Sequence, residues 1–134
     1  NYNNITLIDI SEELCNHLIS KFSNYQNKPR IICADFFEHK GKYDLILEQT
    51  FFCAISPELR QNWCMQMNSL LKTNGKVEGV LFNTTFDKEG PPYGGSQFEY
   101  EQLFSKHFSK VQFRDCLLSI PQRKGTEIEF ILEK

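Results

Sequence analysis

The sequence predicts an α/β fold: an open, mainly parallel sheet with an antiparallel hairpin at one edge. Three observations predict it. β-rich runs alternate with stripes of helical period in the order β-α-β-β-α-β-α-β-β, the pattern of strands joined by crossover helices. The early runs stop at an acid each, Asp9, Asp35 and Glu48. The last two runs, 111–120 and 127–132, are joined by Pro121-Gln122-Arg123-Lys124-Gly125, short enough for an antiparallel pair. Helices at these spacings are expected on both faces of the sheet.

Each element has its own signal. Ile5-Thr6-Leu7-Ile8 is a β-rich run ending at Asp9, and Ser11-Glu12-Glu13 then offers an N-cap and acids for the first turn of a helix. Leu14, Leu18 and Phe22, flanked by Cys15 and Ile19, form the apolar stripe of that helix. Pro29 closes the polar link that follows, and Arg30-Ile31-Ile32-Cys33-Ala34 and Tyr43-Asp44-Leu45-Ile46-Leu47 are the next two strands. Ser56-Pro57-Glu58 reads as an N-cap with proline at the first helical position. From there Leu59, Trp63, Met67, Leu70 and Leu71 keep helical spacing up to Asn74-Gly75, where glycine suits a left-handed cap. A strand over 76–82 and a Gly/Pro-rich loop over 83–95 come next. Ser96-x-x-Glu99 is a capping box opening a helix with Tyr100, Leu103, Phe104 and Phe108 on one face. Alternating Ile128, Phe130 and Leu132 complete a half-buried pair at the end.

Composition narrows the function. The 134 residues carry 15 Lys plus Arg against 17 Asp plus Glu, a net charge of −2, which is not the basic footprint that nucleic acid or an anionic membrane requires. No apolar run is long enough to span a bilayer, and Asn1-Tyr2-Asn3-Asn4 does not start a signal peptide, so a soluble, cytoplasmic protein is expected. The five cysteines form no C-x-x-C pair and read as buried filler in a reducing compartment. His17, His39 and His107 lack ligand spacing, so no metal site is expected. Phosphate-binding G-x-x-x-x-G-K-[ST], H-E-x-x-H and G-x-S-x-G motifs are absent.

What remains is the strand ends. A doubly wound sheet brings Asp9, Asp35 and Glu48 to one crevice, and a carboxylate there accepts two hydroxyl donors at once, as a ribose diol requires. Asp9 is the ribose candidate, although acids at such positions also serve as plain helix caps. Phe51 and Phe52 directly after the third acid, with Pro92 and Tyr93 in the 83–95 loop, are expected to build an apolar wall that excludes water. Phe51 and Phe52 also suit the core, where most phenylalanines lie.

Tyr43-Asp44-Leu45-Ile46-Leu47-Glu48-Gln49-Thr50-Phe51-Phe52-Cys53-Ala54-Ile55-x-Pro57-Glu58-Leu59-Arg60, then Leu70-Leu71-Lys72-x-x-Gly75-Lys76 and Gly90-Pro91-Pro92-Tyr93, closely resemble the thiopurine S-methyltransferase family, which includes halide and thiol methyltransferases. The resemblance implies a class I S-adenosylmethionine-dependent methyltransferase fold, Rossmann-like, with seven strands and the last antiparallel. It implies that Asp9 with Ile10 binds the cofactor ribose, that Asp35 and Phe36 lie beside the adenine, and that Glu48 and Gln49 lie at the methionine end. Phe51, Phe52, Pro92 and Tyr93 would then face the acceptor.

The resemblance also implies a first strand, its Gly-rich loop and an N-terminal cofactor-capping segment ahead of Ile5, none of which is among these residues. Residues 1–134 are therefore expected to be one partial methyltransferase-like domain, N-terminally truncated, inactive as this piece alone, with strand edges that the first strand would otherwise pair. The expected activity is methyl transfer from S-adenosylmethionine to a small thiol or thiopurine-type acceptor, with no nucleic-acid or membrane partner and the oligomeric state open. Two alternatives stand beside it. One is an inactive methyltransferase-like module acting by protein–protein interaction; the other is a dinucleotide-binding oxidoreductase domain, which the T-F-F-C-A-I and G-P-P-Y segments count against.

Overall fold

A computed structural model describes residues 4–134, and the chain divides after Lys40 into two units. In the first, strand β1 (Thr6–Asp9) pairs in parallel with β2 (Arg30–Cys33), in a register running from Thr6 opposite Arg30 to Asp9 opposite Cys33. Helix α1 (Glu12–Lys21) makes the crossover between them. Its start is built as the sequence predicts: the Ser11 hydroxyl accepts from the Leu14 N–H at 3.3 Å, Glu12 and Glu13 occupy the first turn, and Lys21 the last. The apolar stripe is narrower than expected, because two strands offer a helix little surface to cover. Cys15 is buried and Leu18 and Phe22 half-buried, whereas Leu14 and Ile19 are 41% and 55% exposed.

The second unit, Gly41–Lys134, holds a four-stranded sheet with β3 (Tyr43–Gln49), β4 (Leu71–Phe82), β5 (Lys110–Asp115) and β6 (Glu127–Glu133) in the order β3-β4-β6-β5. β3 and β4 are parallel; β6 runs antiparallel to both of its neighbours. Helices α2 (Phe51–Ala54), α3 (Arg60–Leu70) and α4 (Gln97–Phe104) complete it. Val77 and Leu81 of β4 and Ile128, Phe130 and Leu132 of β6 point to one face and are buried with Trp63, Met67 and Leu70 of α3 and Tyr100 and Phe104 of α4. Phe104 is the hub, with ring centroids 5.7 to 6.4 Å from those of Phe52, Trp63, Tyr100, Phe108, Phe113 and Phe130.

Helices on both faces were expected; within this unit the α-helices pack on one face and the other face carries none of the unit's own α-helices. It carries Leu47, 75% exposed, and ion pairs joining Glu133 to Lys76 and Lys110 and Glu129 to Arg114. The reason is written in β6, whose alternation is apolar toward the helices and mostly acidic away from them. Among the described residues β1 pairs only with β2, and β3 only with β4, so each keeps one unpaired edge.

Several features depart from expectation. Ser56 makes no side-chain cap bond, and Pro57–Leu59 form a 3-10 turn ahead of α3, which begins at Arg60. α3 stops at Leu70, and Leu71, which kept helical spacing, begins β4 and is fully buried opposite Tyr43. Pairing across the sheet overrides the local period here. The left-handed residue is Asn74, at φ 62°, rather than Gly75; glycine is required at 75 because a Cβ would come within 2.9 Å of both the Lys72 and Tyr43 carbonyl oxygens. The run 111–120 is a strand only to Asp115, leaving Leu117 and Leu118 nearly fully exposed. The capping box forms as predicted, with Ser96 and Glu99 bonding each other's backbone N–H groups at 3.3 and 2.8 Å.

Candidate functional site

In the first unit the candidate acids sit at the carboxyl ends of neighbouring parallel strands. Asp9 closes β1, and its Oδ1 accepts the Ser11 N–H at 2.8 Å. One oxygen therefore orders the turn into α1, and Oδ2 makes no hydrogen bond among the described residues. Ile10 lies in that same turn, 73% exposed. The Ala34 N–H donates to the Asp9 carbonyl at 3.0 Å, which extends the β1–β2 ladder toward Asp35. Asp35 uses Oδ1 to cap the short 3-10 turn Phe36–Glu38 through the Phe37 N–H at 2.8 Å, with the Phe36 ring edge-on to Phe37. Asp9, Ile10, Asp35 and Phe36 thus occupy the paired carboxyl edge of one small sheet.

The second unit builds its candidate site around one sharp turn. Glu48 precedes the end of β3 and is 5% exposed; Thr50 takes a left-handed φ of 73°; and α2 begins at once. No side chain at Thr50 caps α2. Glu48 does so instead, its Oε1 accepting the Phe52 N–H at 2.9 Å. Its Oε2 is buried without a partner. Burial pushes the Glu48 carboxyl up to about 7, and the Phe52 and Phe51 N–H groups only partly offset it. A neighbouring strand must pass very close beneath this residue: opposite Glu48 stands Gly79, where a Cβ would lie 2.8 Å from the Phe130 ring and overlap the Glu48 carbonyl.

Gln49 is exposed and lines, with Leu47, Val80, Arg114, Ile120 and Arg123, a groove of about 520 Å³ on the sheet face away from the unit's own α-helices. Phe51 is half-buried. Phe52 is fully buried, edge-on to Trp63, Tyr100 and Phe104 at 4.9 to 5.7 Å. The four-residue helix turns this ring into the core, the alternative the sequence left open for it. Pro92 and Tyr93 line a separate hollow of about 300 Å³ with Pro57, Phe86, Lys88 and Glu99. The Tyr93 N–H donates to the Cys53 carbonyl at 2.7 Å, so the 83–95 loop is tied to α2.

Two cations near this turn escaped the sequence reading. Arg60 lies 4.7 Å from the Phe52 ring centroid and 5.7 Å from that of Tyr100, while its Nη2 donates to the Gly94 carbonyl at 2.9 Å and its Nε is buried unpartnered. Arg123 lies 5.4 Å from the Phe82 ring centroid and pairs with Glu127. Burial and then the Glu48 charge push the Cys53 thiol up, and the positive charges of Arg123 and Arg60 partly draw it back. Arg60 closes the long segment that carries the family resemblance, which was the available signal; at Arg123 the only signal is the weak extension of that resemblance to Arg123-Lys124-Gly125.

A family model described as thiopurine S-methyltransferase matches residues 9–134. "Probable thiol methyltransferase 2" of Arabidopsis thaliana is 36% identical over 125 residues, covering 90% of this chain and 55% of that protein. Thiocyanate methyltransferase 1 of Brassica oleracea is 33% identical over 128 residues, again covering 90% and 55%. The chain spans about half the length of the curated relatives it matches. Among solved structures, a SAM-dependent methyltransferase from Methanosarcina mazei aligns with a TM-score of 0.78 at 14% identity, over 98% of this chain and 82% of that one. Magnesium protoporphyrin IX methyltransferase from Synechocystis with bound SAM aligns at 0.75 and 15%, over 96% and 59%. At such identities the alignments show the fold, that of class I methyltransferases.

Proposed function

The chain belongs to the thiopurine S-methyltransferase family, and from that premise we propose that it is part of an S-adenosylmethionine-dependent methyltransferase acting on a small thiol-type acceptor. The observation that carries the proposal is the family match through both acidic strand ends and the Glu48-Gln49-Thr50-Phe51 turn. When bound, S-adenosylmethionine supplies an electrophilic methyl on a cationic sulfonium.

The residues fit such a group. The Asp9 oxygen not used by Ser11 takes the ribose hydroxyls, with Ile10 beside it; Asp35 and Phe36 attend the adenine end. Glu48 presents a buried oxygen without a partner, the kind of acceptor that a cationic ligand complements, and Gln49 adds an exposed amide next to it. Phe51, Pro92 and Tyr93 contribute apolar surface to the acceptor side, held to one another through the Tyr93–Cys53 backbone bond. Arg60 and Arg123 bring positive charge to the same turn, which favours the thiolate form of an acceptor over the thiol. Proton chemistry is then minor: a soft sulfur nucleophile needs alignment more than a base. The cytoplasm is the proposed compartment; among the described residues, no helix is long and apolar enough to cross a membrane.

Calorimetric titration with S-adenosylhomocysteine tests the cofactor half, using the protein in its full-length form. Asp9→Ala is expected to weaken binding by about 1.5–3 kcal/mol, the value of a hydrogen bond to a charged group; unchanged affinity removes Asp9 from the site. A panel of acceptors tests the other half: methylation of RNA, DNA or protein with none on small thiols refutes it.

A further inference from the structure

We propose that Cys15 and Cys33 form a reversible thiol pair that closes to an intramolecular disulfide, with Cys33 as the point of entry. Both belong to the first unit, one on α1 and one at the end of β2. Cys15 is 2% exposed, and its sulfur lies 3.6 Å from the Asp9 carbonyl oxygen and 3.9 Å from that of Ile32. Cys33 is exposed to solvent, and its sulfur lies 3.8 Å from the Ile10 carbonyl oxygen. Carbonyls of consecutive residues 9 and 10 thus hold the two sulfurs where α1 leaves the strand ends, and the Ile32 carbonyl that Cys15 also meets belongs to the residue just before Cys33. The protein's other three cysteines lie in the second unit, in different surroundings: Cys53 bonds the Thr50 carbonyl, Cys64 is wholly buried on α3, and Cys116 follows β5.

The geometry divides the labour. Exposure lets Cys33 meet a small disulfide such as glutathione disulfide. Its sulfur bonds to one sulfur of that reagent, the reagent's S–S bond breaks, and the other glutathione leaves as a thiol carrying the Cys33 proton. Cys15, whose burial holds it as a thiol until then, gives up its proton and attacks the Cys33 sulfur as the thiolate, and the second glutathione departs as a thiol with that proton. The protein loses two hydrogens and two electrons, and one disulfide is reduced to two thiols. The new bond ties the first turns of α1 to the carboxyl end of β2, between Asp9 and Asp35. No step involves the methyl transfer, so this inference stands apart from that reading.

The test is to treat the folded protein with glutathione disulfide, quench with acid, alkylate under denaturing conditions and weigh the products. All five cysteines are free in the reduced protein, which takes five alkyl groups; the treated protein is expected to take three and to yield one Cys15–Cys33 cross-linked peptide that dithiothreitol reverses. Cys15→Ser is expected to stop at a glutathione adduct on Cys33, and Cys33→Ser to form no cross-link. A wild-type product that keeps glutathione on Cys33 with Cys15 still alkylated overturns the proposal. So does a mixture of cross-links no more selective in the folded protein than in urea.

Discussion

Replacing Glu48 by glutamine isolates the energetic consequence of burying a carboxyl that has one oxygen on the backbone N–H groups of α2 and one orphan oxygen. Burial lifts this carboxyl from its ordinary 4.5 to about 7. A group that holds its proton more tightly when folded stabilises the fold fully below its unfolded value. That stability is lost as pH climbs through the folded one. At about 1.4 kcal/mol per pH unit, the span from 4.5 to about 7 amounts to about 3 kcal/mol. Glutamine keeps the acceptor for the Phe52 N–H and cannot ionise, so it removes the pH dependence without removing the cap of α2. Urea unfolding of both proteins from pH 4 to 8.5, at constant m-value, measures the difference directly. Near pH 4 the two are expected to be about equally stable, and above pH 7.5 Glu48→Gln is expected to be the more stable by about 3 kcal/mol. Parallel stability curves across that range would refute the argument, since they would mean that the charged form is solvated or paired after all.

Two further outcomes follow from the same packing. Phe104→Ala empties the hub of the aromatic core and is expected to cost about 3–5 kcal/mol, read as a lower urea midpoint at unchanged m-value. Ser96→Ala removes the side-chain half of the α4 capping box at an exposed site and is expected to cost about 1 kcal/mol, detectable as a thermal midpoint lower by a few degrees.

Much of the secondary structure was legible because its signals are local. The Ser11 and Ser96 caps, the acids after β1 and β2 and the alternation of β6 depend on residues within a few positions of one another, and each appears where the sequence places it. The family was legible too, in a continuous stretch around Glu48 to Arg60. What local signals could not carry were decisions made by distant partners. Leu71 keeps helical spacing but pairs with Tyr43 as a strand. Phe52 looks the same as Phe51 in sequence, yet a left-handed Thr50 and a four-residue helix turn it toward Trp63 and Phe104. Arg123, from the other end of the chain, draws on the Cys53 thiol of α2, and Glu48 caps that helix with one oxygen while the other finds no partner. Sequence determined which elements exist and which family they belong to, because propensity, capping and alternation act over a few residues. Tertiary structure alone decided which side chains are buried together, because burial, and with it the protonation of Glu48, depends on groups that only folding brings into contact.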